Sequence, residues 1–348
     1  MSGRFHQPIS WLTAAMLLVV QPVAGQGKAD GALQSVGPEA DNVCLLAPVF
    51  DDSGVRAVQS HRGKTLGQTS TFAVSFVEES PDDPWPSAAR DAFVYATSIW
   101  ERTVVTPIEV RVRAYWADRG GCATAPVTLA SAGPRALHRD HPTFPQPDTW
   151  YVDALADALS GLDMGGSSEP DIRVFVNRDC AGTQASPRWY FGVDGRPPSG
   201  HIDFVSVVLH EIGHGLGISG AGRVTSGEGT VRYSTRPYAY DRFTVDGTMD
   251  FSPLLAYPDF SSELGTVLQS GSGGVLYGGT SAITANGGEP PSLYAPDPWT
   301  GGSSYSHLDE QTYDGTSDAL MTPILSTMEA NHVVGPVSCG LLEDMGWT

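Results

Sequence analysis

The chain is predicted to fold as an α+β protein, and three observations carry that prediction. Strand-like and helix-like hydrophobic patterns alternate through its first half, a strongly amphipathic helix follows them, and the region beyond is rich in Gly, Ser, Pro and Tyr with little periodicity. The expected architecture is a mixed twisted sheet plus helices in an N-terminal lobe over 71–217. An irregular long insertion over 218–303 and a C-terminal lobe over 304–348 complete a single unit of 71–348.

Residues 1–25 carry Arg4, an apolar run from Ile9 to Val20 and small residues at Val23, Ala24 and Gly25, the pattern of a cleavable signal peptide. That run is short for a bilayer span, and no later segment approaches one, so a secreted protein without a membrane anchor is expected. Residues 26–70 read as a propeptide or N-terminal extension. Residues 72–77 alternate like a strand. Ala88, Ala89, Ala92, Phe93, Ala96, Ile99 and Trp100 then fall at helical spacing, and Ile108, Val110, Val112 and Ala114 alternate with charged residues in a second strand. A helix is predicted over 150–162 and a strand over 171–177. The segment Arg188-Trp189-Tyr190-Phe191-Gly192 reads as core aromatics in a hairpin. In the insertion, Asp241-Arg242-Phe243 is expected to anchor through an ion pair.

The next helix carries chemistry. Asp203 stands where an N-cap belongs, and Val205, Val208, Leu209, Ile212 and Leu216 recur at three- and four-residue steps. A second stripe holds His210 and His214, which one helical turn places above one another, so both imidazoles can aim at one metal about 2.0–2.1 Å away. Glu211 lies about 100° further round, where a carboxylate can deprotonate a water at that metal. Gly217 is the expected helix end, because glycine takes the left-handed conformation that turns the backbone sharply away.

A catalytic zinc takes three protein ligands and leaves a fourth position open. In the compact pattern HExxHxxGxxH the third would fall at position 220, which is Gly220. Glu228 and Glu263 are acidic alternatives, set in Gly- and Ser-rich sequence with weak helical patterning. His307 is the better candidate, in Ser304-Tyr305-Ser306-His307-Leu308-Asp309, with Leu320-Met321-Thr322-Pro323 following.

These residues resemble the leishmanolysin-like metzincins and their bacterial secreted relatives. In that family an insertion separates the HExxHxxG helix from the third histidine, a Leu-Met-x-Pro methionine turn follows, and a Leu-Glu-Asp-x-Gly-Trp segment closes the domain. This chain has Leu342-Glu343-Asp344-Met345-Gly346-Trp347, so the resemblance runs from about Phe72 to the C-terminus. It implies a zincin fold, one zinc on His210, His214 and His307, Glu211 as general base, a helix-ending turn at Gly217, a hydrophobic floor from Met321, and an extended edge near Arg188–Gly192 that can pair with a peptide. The chain departs from the protozoan members in its shorter length, its four cysteines and its lack of a hydrophobic C-terminal tail.

Tyr305 and Tyr313 flank the third histidine and could donate to a tetrahedral oxyanion, although tyrosine is commonly a core residue. Asp309 could support a histidine N–H or cap a turn. A net charge of −19 argues against nucleic acid as a partner. It suits a soluble extracellular protein, in high salt or binding calcium, although no EF-hand-like loop makes calcium specific. Cys44, Cys122, Cys180 and Cys339 form no CxxC pair, and two disulfides are expected, with the pairing open. Cys44 does not sit in the family's latency motif.

The expected activity is therefore that of a secreted, monomeric zinc endopeptidase acting on protein or peptide substrates. The alternatives are a non-catalytic adhesin or binding module on a zincin scaffold, and a zincin with an acidic third ligand from the insertion.

Overall fold

Alternation of apolar residues builds the central sheet. The structure is a computed structural model that describes residues 14–18, 70–119, 122, 127–181 and 187–348. In chain order the elements are β1 (Ala14–Leu18), β2 (Phe72–Glu78), α1 (Ser87–Thr103), β3 (Val110–Ala117), β4 (Val127–Pro134), β5 (Leu137–His138), β6 (Tyr151–Val152), α2 (Asp153–Ser160), β7 (Ile172–Asn177), β8 (Arg188–Tyr190), β9 (His201–Asp203) and α3 (Phe204–Leu216). Beyond them come β10 (Arg223–Thr225), β11 (Glu228–Thr230), β12 (Thr244–Asp246), α4 (Ser262–Val267), β13 (Val275–Tyr277), α5 (Thr280–Ala285), α6 (Glu310–Tyr313) and α7 (Pro336–Met345).

The main sheet has the order β1-β4-β7-β3-β2. β2, β3 and β7 run parallel, and β4 and β1 join antiparallel. Val110, Val112 and Ala114 of β3 and Ile172, Val174 and Val176 of β7 are buried on one face, whereas Arg111 and Arg113 point the other way and stay partly exposed. α1 covers the apolar face through Ala89, Ala92, Phe93, Ala96, Ile99 and Trp100, the stripe its spacing predicts. Trp100 locks α1 to the HExxH helix, donating its indole N–H to Leu209 O at 3.0 Å. The α+β reading thus stands as a mixed twisted sheet with several helices.

The helix expected over 150–162 starts later, at Asp153, because Tyr151 and Val152 pair with β5 first. It ends at Gly161, whose φ of 67° is a left-handed turn. β4 was not predicted from the pattern. Its sequence, Val-Thr-Leu-Ala-Ser-Ala-Gly-Pro, mixes small residues without clean alternation, and only pairing with β7 makes it a strand. The Arg188–Gly192 segment forms no hairpin: β8 pairs parallel with β9, and the rings of Trp189 and Phe191 meet Phe204 edge-on. The core-aromatic reading of that segment holds, and the strand of the main sheet that packs against the HExxH helix is β4, paired with β1 on its other side.

The region 218–303 is less irregular than expected, with two short antiparallel strand pairs, β10–β11 and β12–β13, and the helices α4 and α5. At Asp241-Arg242-Phe243 the anchor is not an ion pair: Arg242 donates to Thr149 Oγ1 at 2.9 Å and to the Pro147 carbonyl at 2.9 Å, whereas Arg236 of the same region pairs with Asp148 at 3.4 Å. Cys122 and Cys180 are disulfide-bonded across a Cα separation of 5.2 Å, and Cys339 is also disulfide-bonded. Among the described residues no helix is long and apolar enough to cross a membrane. The expected signal peptide, apart from Ala14–Leu18, and the extension over 26–69 with Cys44 lie outside the described residues.

Candidate metal centre

α3 is capped as its sequence predicts, with Asp203 Oδ1 accepting from Ser206 N at 2.8 Å, and every residue of the helix is buried. Its two internal glycines admit neighbours that a side chain would exclude. A Cβ on Gly215 would stand 2.3 Å from Ile172 Cγ2, and one on Gly213 would stand 2.8 Å from Met321 Sδ. Met321, fully buried, therefore packs directly under the turn that separates His210 from His214. At Gly217 φ is 123°, and its N–H closes the helix on Gly213 O and His214 O.

His307 arrives at the same place by a long detour. Gly220 could not have served, since any side chain there would collide with Tyr305 and Asp241. Instead Gly220 N donates to Ser306 Oγ at 3.1 Å, which brings the residue next to His307 alongside the compact third-ligand position. Leu308 N donates to Met321 O at 2.9 Å, tying the histidine segment to the methionine segment.

The Nε2 atoms of His210, His214 and His307 lie 3.0, 3.1 and 3.2 Å from one another. Each Nδ1 faces a backbone carbonyl: Leu320 O at 2.6 Å, Ile218 O at 2.7 Å and Ser303 O at 2.6 Å. A carbonyl only accepts, so each Nδ1 carries the proton and each Nε2 presents a bare lone pair. Burial, the largest influence on each ring, pushes all three pKa values down, His214 to about 4, and the rings stay neutral. Three converging lone pairs with no proton among them repel, unless a cation lies between them.

Glu211 is fully buried, and neither carboxylate oxygen has a well-formed hydrogen bond. Burial drives its pKa well up, opposed in part by the Ala132 amide on β4 and by the Arg119 charge. A buried carboxylate without partners is costly to hold for structure alone.

Tyr305 and Tyr313 are spent elsewhere. The Tyr305 hydroxyl donates to Asp241 Oδ1 at 2.8 Å and lies 2.9 Å from Thr244 Oγ1, and the Tyr313 hydroxyl donates to Asn286 Oδ1 at 3.0 Å. The structure therefore leaves neither hydroxyl free for an oxyanion. Asp309 caps α6, accepting from Thr312 N. Glu228 and Glu263 fall in β11 and α4, and neither joins the histidine group, which leaves His307 as the third member. A separate group, Asp153, Asp157 and Asp171, also has metal-binding potential.

Asp241 works as a hydrogen-bond hub, accepting from Tyr238 N at 2.6 Å and Ala221 N at 3.0 Å besides Tyr305. Burial, outweighing those hydrogen bonds, pushes its pKa from 3.8 up to about 7. The folded state then holds the proton more tightly than the unfolded chain, so this contribution is complete below pH ~4 and is lost as the pH rises towards 7. The stability gap between wild type and Asp241→Asn is expected to narrow by a few kcal/mol over that window, at about 1.4 kcal/mol per pH unit. Urea unfolding of both proteins at pH 4 to 8 measures it, and a constant or widening gap would contradict the assignment.

Comparison with protein-family models, with curated proteins and with solved structures returned no match.

Proposed function

We propose that this chain is an exported, zinc-dependent endopeptidase of the metzincin type. The observation that carries the reading is the triangle of Nε2 lone pairs. Tetrahedral zinc with bonds of about 2.0–2.1 Å spaces its nitrogens about 3.3–3.4 Å apart, close to the 3.0 to 3.2 Å found here. Three neutral imidazoles, each oriented by a carbonyl on its other nitrogen, are a typical zinc donor set with its supporting shell. Zinc bound there would polarise a scissile carbonyl and make a water acidic enough to give up a proton near neutral pH.

The residues of the chain supply the rest. Glu211, adjacent to His210 on the same helix, accepts the proton of the attacking water. Its raised pKa suits it to keep that proton briefly and pass it to the leaving amine. β4 runs beside Glu211, and its outer edge accepts backbone partners: Ala14–Leu18 pairs with it antiparallel, with Ala14 opposite Ala132. A peptide bound in the same extended manner would present its carbonyls in register with the site. Export fits the disulfides and the charge.

The binding-module reading is weaker. A structural zinc usually has four protein ligands, whereas this group has three histidines beside a partnerless buried glutamate. Metal analysis of the purified chain and its digestion of a peptide library test the proposal together. One zinc per chain with internal cleavage of peptides is expected. Zinc without cleavage would favour the binding module, and absence of zinc would end the reading.

A further inference from the structure

A second cluster of donors is built from α2, the loop after it and the start of β7. Asp153 and Asp157 lie one turn apart on α2, and Asp171 immediately precedes Ile172. Their exposures are 0%, 2% and 1%, and one carboxylate oxygen from each lies within 4.8 Å of the others. Each carboxylate is only half satisfied. His138 Nε2 meets Asp153 Oδ1 at 2.5 Å, Met164 N donates to Asp157 Oδ1 at 2.8 Å, and Arg111 N donates to Asp171 Oδ2 at 2.7 Å. The opposite oxygens, Asp153 Oδ2, Asp157 Oδ2 and Asp171 Oδ1, are buried and have no hydrogen-bond partner.

The nearby charges do not balance. Arg111 is the permanent cation, 2.7 Å from Asp163 and 3.8 Å from Asp171, and His138 adds charge only when protonated. Buried carboxylates in that deficit take up either protons or a cation.

We propose that Asp153, Asp157 and Asp171 bind a divalent cation of the calcium class. The donor set holds only hard oxygens, which select calcium or magnesium over zinc. Calcium accepts oxygens at about 2.3–2.6 Å in flexible geometry, which suits carboxylates set by a helix and a strand, whereas magnesium demands a near-ideal octahedron at about 2.0–2.1 Å. The following loop closes over the carboxylates, since a Cβ on Gly165 would lie 2.9 Å from Asp153 Oδ2. A cation there joins α2, that loop and β7, whose Ile172 fills the hollow at Gly215 of α3. Its role is to brace the strand on which the HExxH helix rests, and it does not depend on zinc in the histidine site.

Terbium luminescence and thermal unfolding of the zinc-supplied, calcium-free chain test the proposal, with Trp150 and Tyr151, three and two residues before Asp153, as sensitisers. Wild type is expected to bind one terbium, displaced by calcium more readily than by magnesium. Its Tm should rise by about 5–10 °C when calcium is 100-fold above its Kd. Asp157→Asn and Asp171→Asn should lose both responses, and His210→Ala should keep them. If wild type shows no saturable terbium binding and no calcium-dependent shift, the carboxyls are neutralised by protons and the proposal is overturned. A response abolished by His210→Ala but kept by Asp157→Asn would overturn it equally. Should the aspartate variants fail to fold, the wild-type titration alone decides.

Discussion

Glu211→Gln is expected to lower peptide hydrolysis by about 10²–10⁴-fold, the usual contribution of a positioned general base, while one zinc per chain is retained. The amide matches the carboxylate in volume, so the packing around a fully buried side chain is preserved. It cannot accept a proton from water. Neither carboxylate oxygen has a well-formed hydrogen bond, so the substitution disturbs at most the weak approach of the Ala132 amide. Neutralising a buried charge should leave the fold as stable as before or more so. Loss of activity with unchanged zinc content and an unchanged or higher Tm would separate a chemical role from a structural one. Activity within tenfold of wild type would remove Glu211 from the mechanism.

His307→Ala is expected to weaken zinc binding by more than about 100-fold, beyond the 10- to 100-fold typical of losing only a supporting hydrogen bond, and to abolish hydrolysis with it. The fully buried ring is fixed by Ser303 O at 2.6 Å and sits 3.1 and 3.2 Å from the other two Nε2 atoms. Removing it opens a cavity and leaves a two-histidine site. Zinc titration monitored by competition with a chromophoric chelator measures the change, and circular dichroism of the apo-protein checks the fold. His307→Gln, which fills more of the space without restoring the imidazole, should behave like the alanine variant. Wild-type zinc affinity in either folded variant would return the third-ligand assignment to the acidic residues of the insertion.

Part of this molecule is legible along the chain because its causes are local. Helical spacing in 87–103 and in 204–216, the Asp203 cap, the Gly217 turn and the alternation of β2, β3 and β7 each depend on residues within a turn or two of one another. His210, Glu211 and His214 belong to the same class, since one helical turn sets their relation. β4 was missed because its small residues acquire strand geometry from β7 rather than from their own pattern. The carbonyls that orient the histidines, from Leu320, Ile218 and Ser303, were also invisible, since a backbone oxygen leaves no trace in residue type.

The tyrosines illustrate the same division. Tyr305 stands two residues before His307 and reads naturally as a donor to the reacting centre. Its hydroxyl instead joins Asp241 and Thr244, more than sixty positions away, in a network that holds the insertion against the histidine segment. Likewise the three aspartates of the second cluster are unremarkable in the sequence, with Asp171 fourteen positions beyond Asp157, and only the packing of α2 against the start of β7 makes them neighbours.

By itself the sequence determined the α+β class and two-thirds of the histidine site, because helical periodicity is a property of adjacent residues. Tertiary structure alone decided that the nitrogen of His307 meets the other two within about 3 Å. It also decided that all three lone pairs are bare, that Glu211 is buried without partners, and that the tyrosine hydroxyls are committed elsewhere. The physical reason is that charge state, lone-pair direction and solvent exclusion are set by whatever surrounds a group in space, and here those surroundings come from segments up to about 110 residues apart.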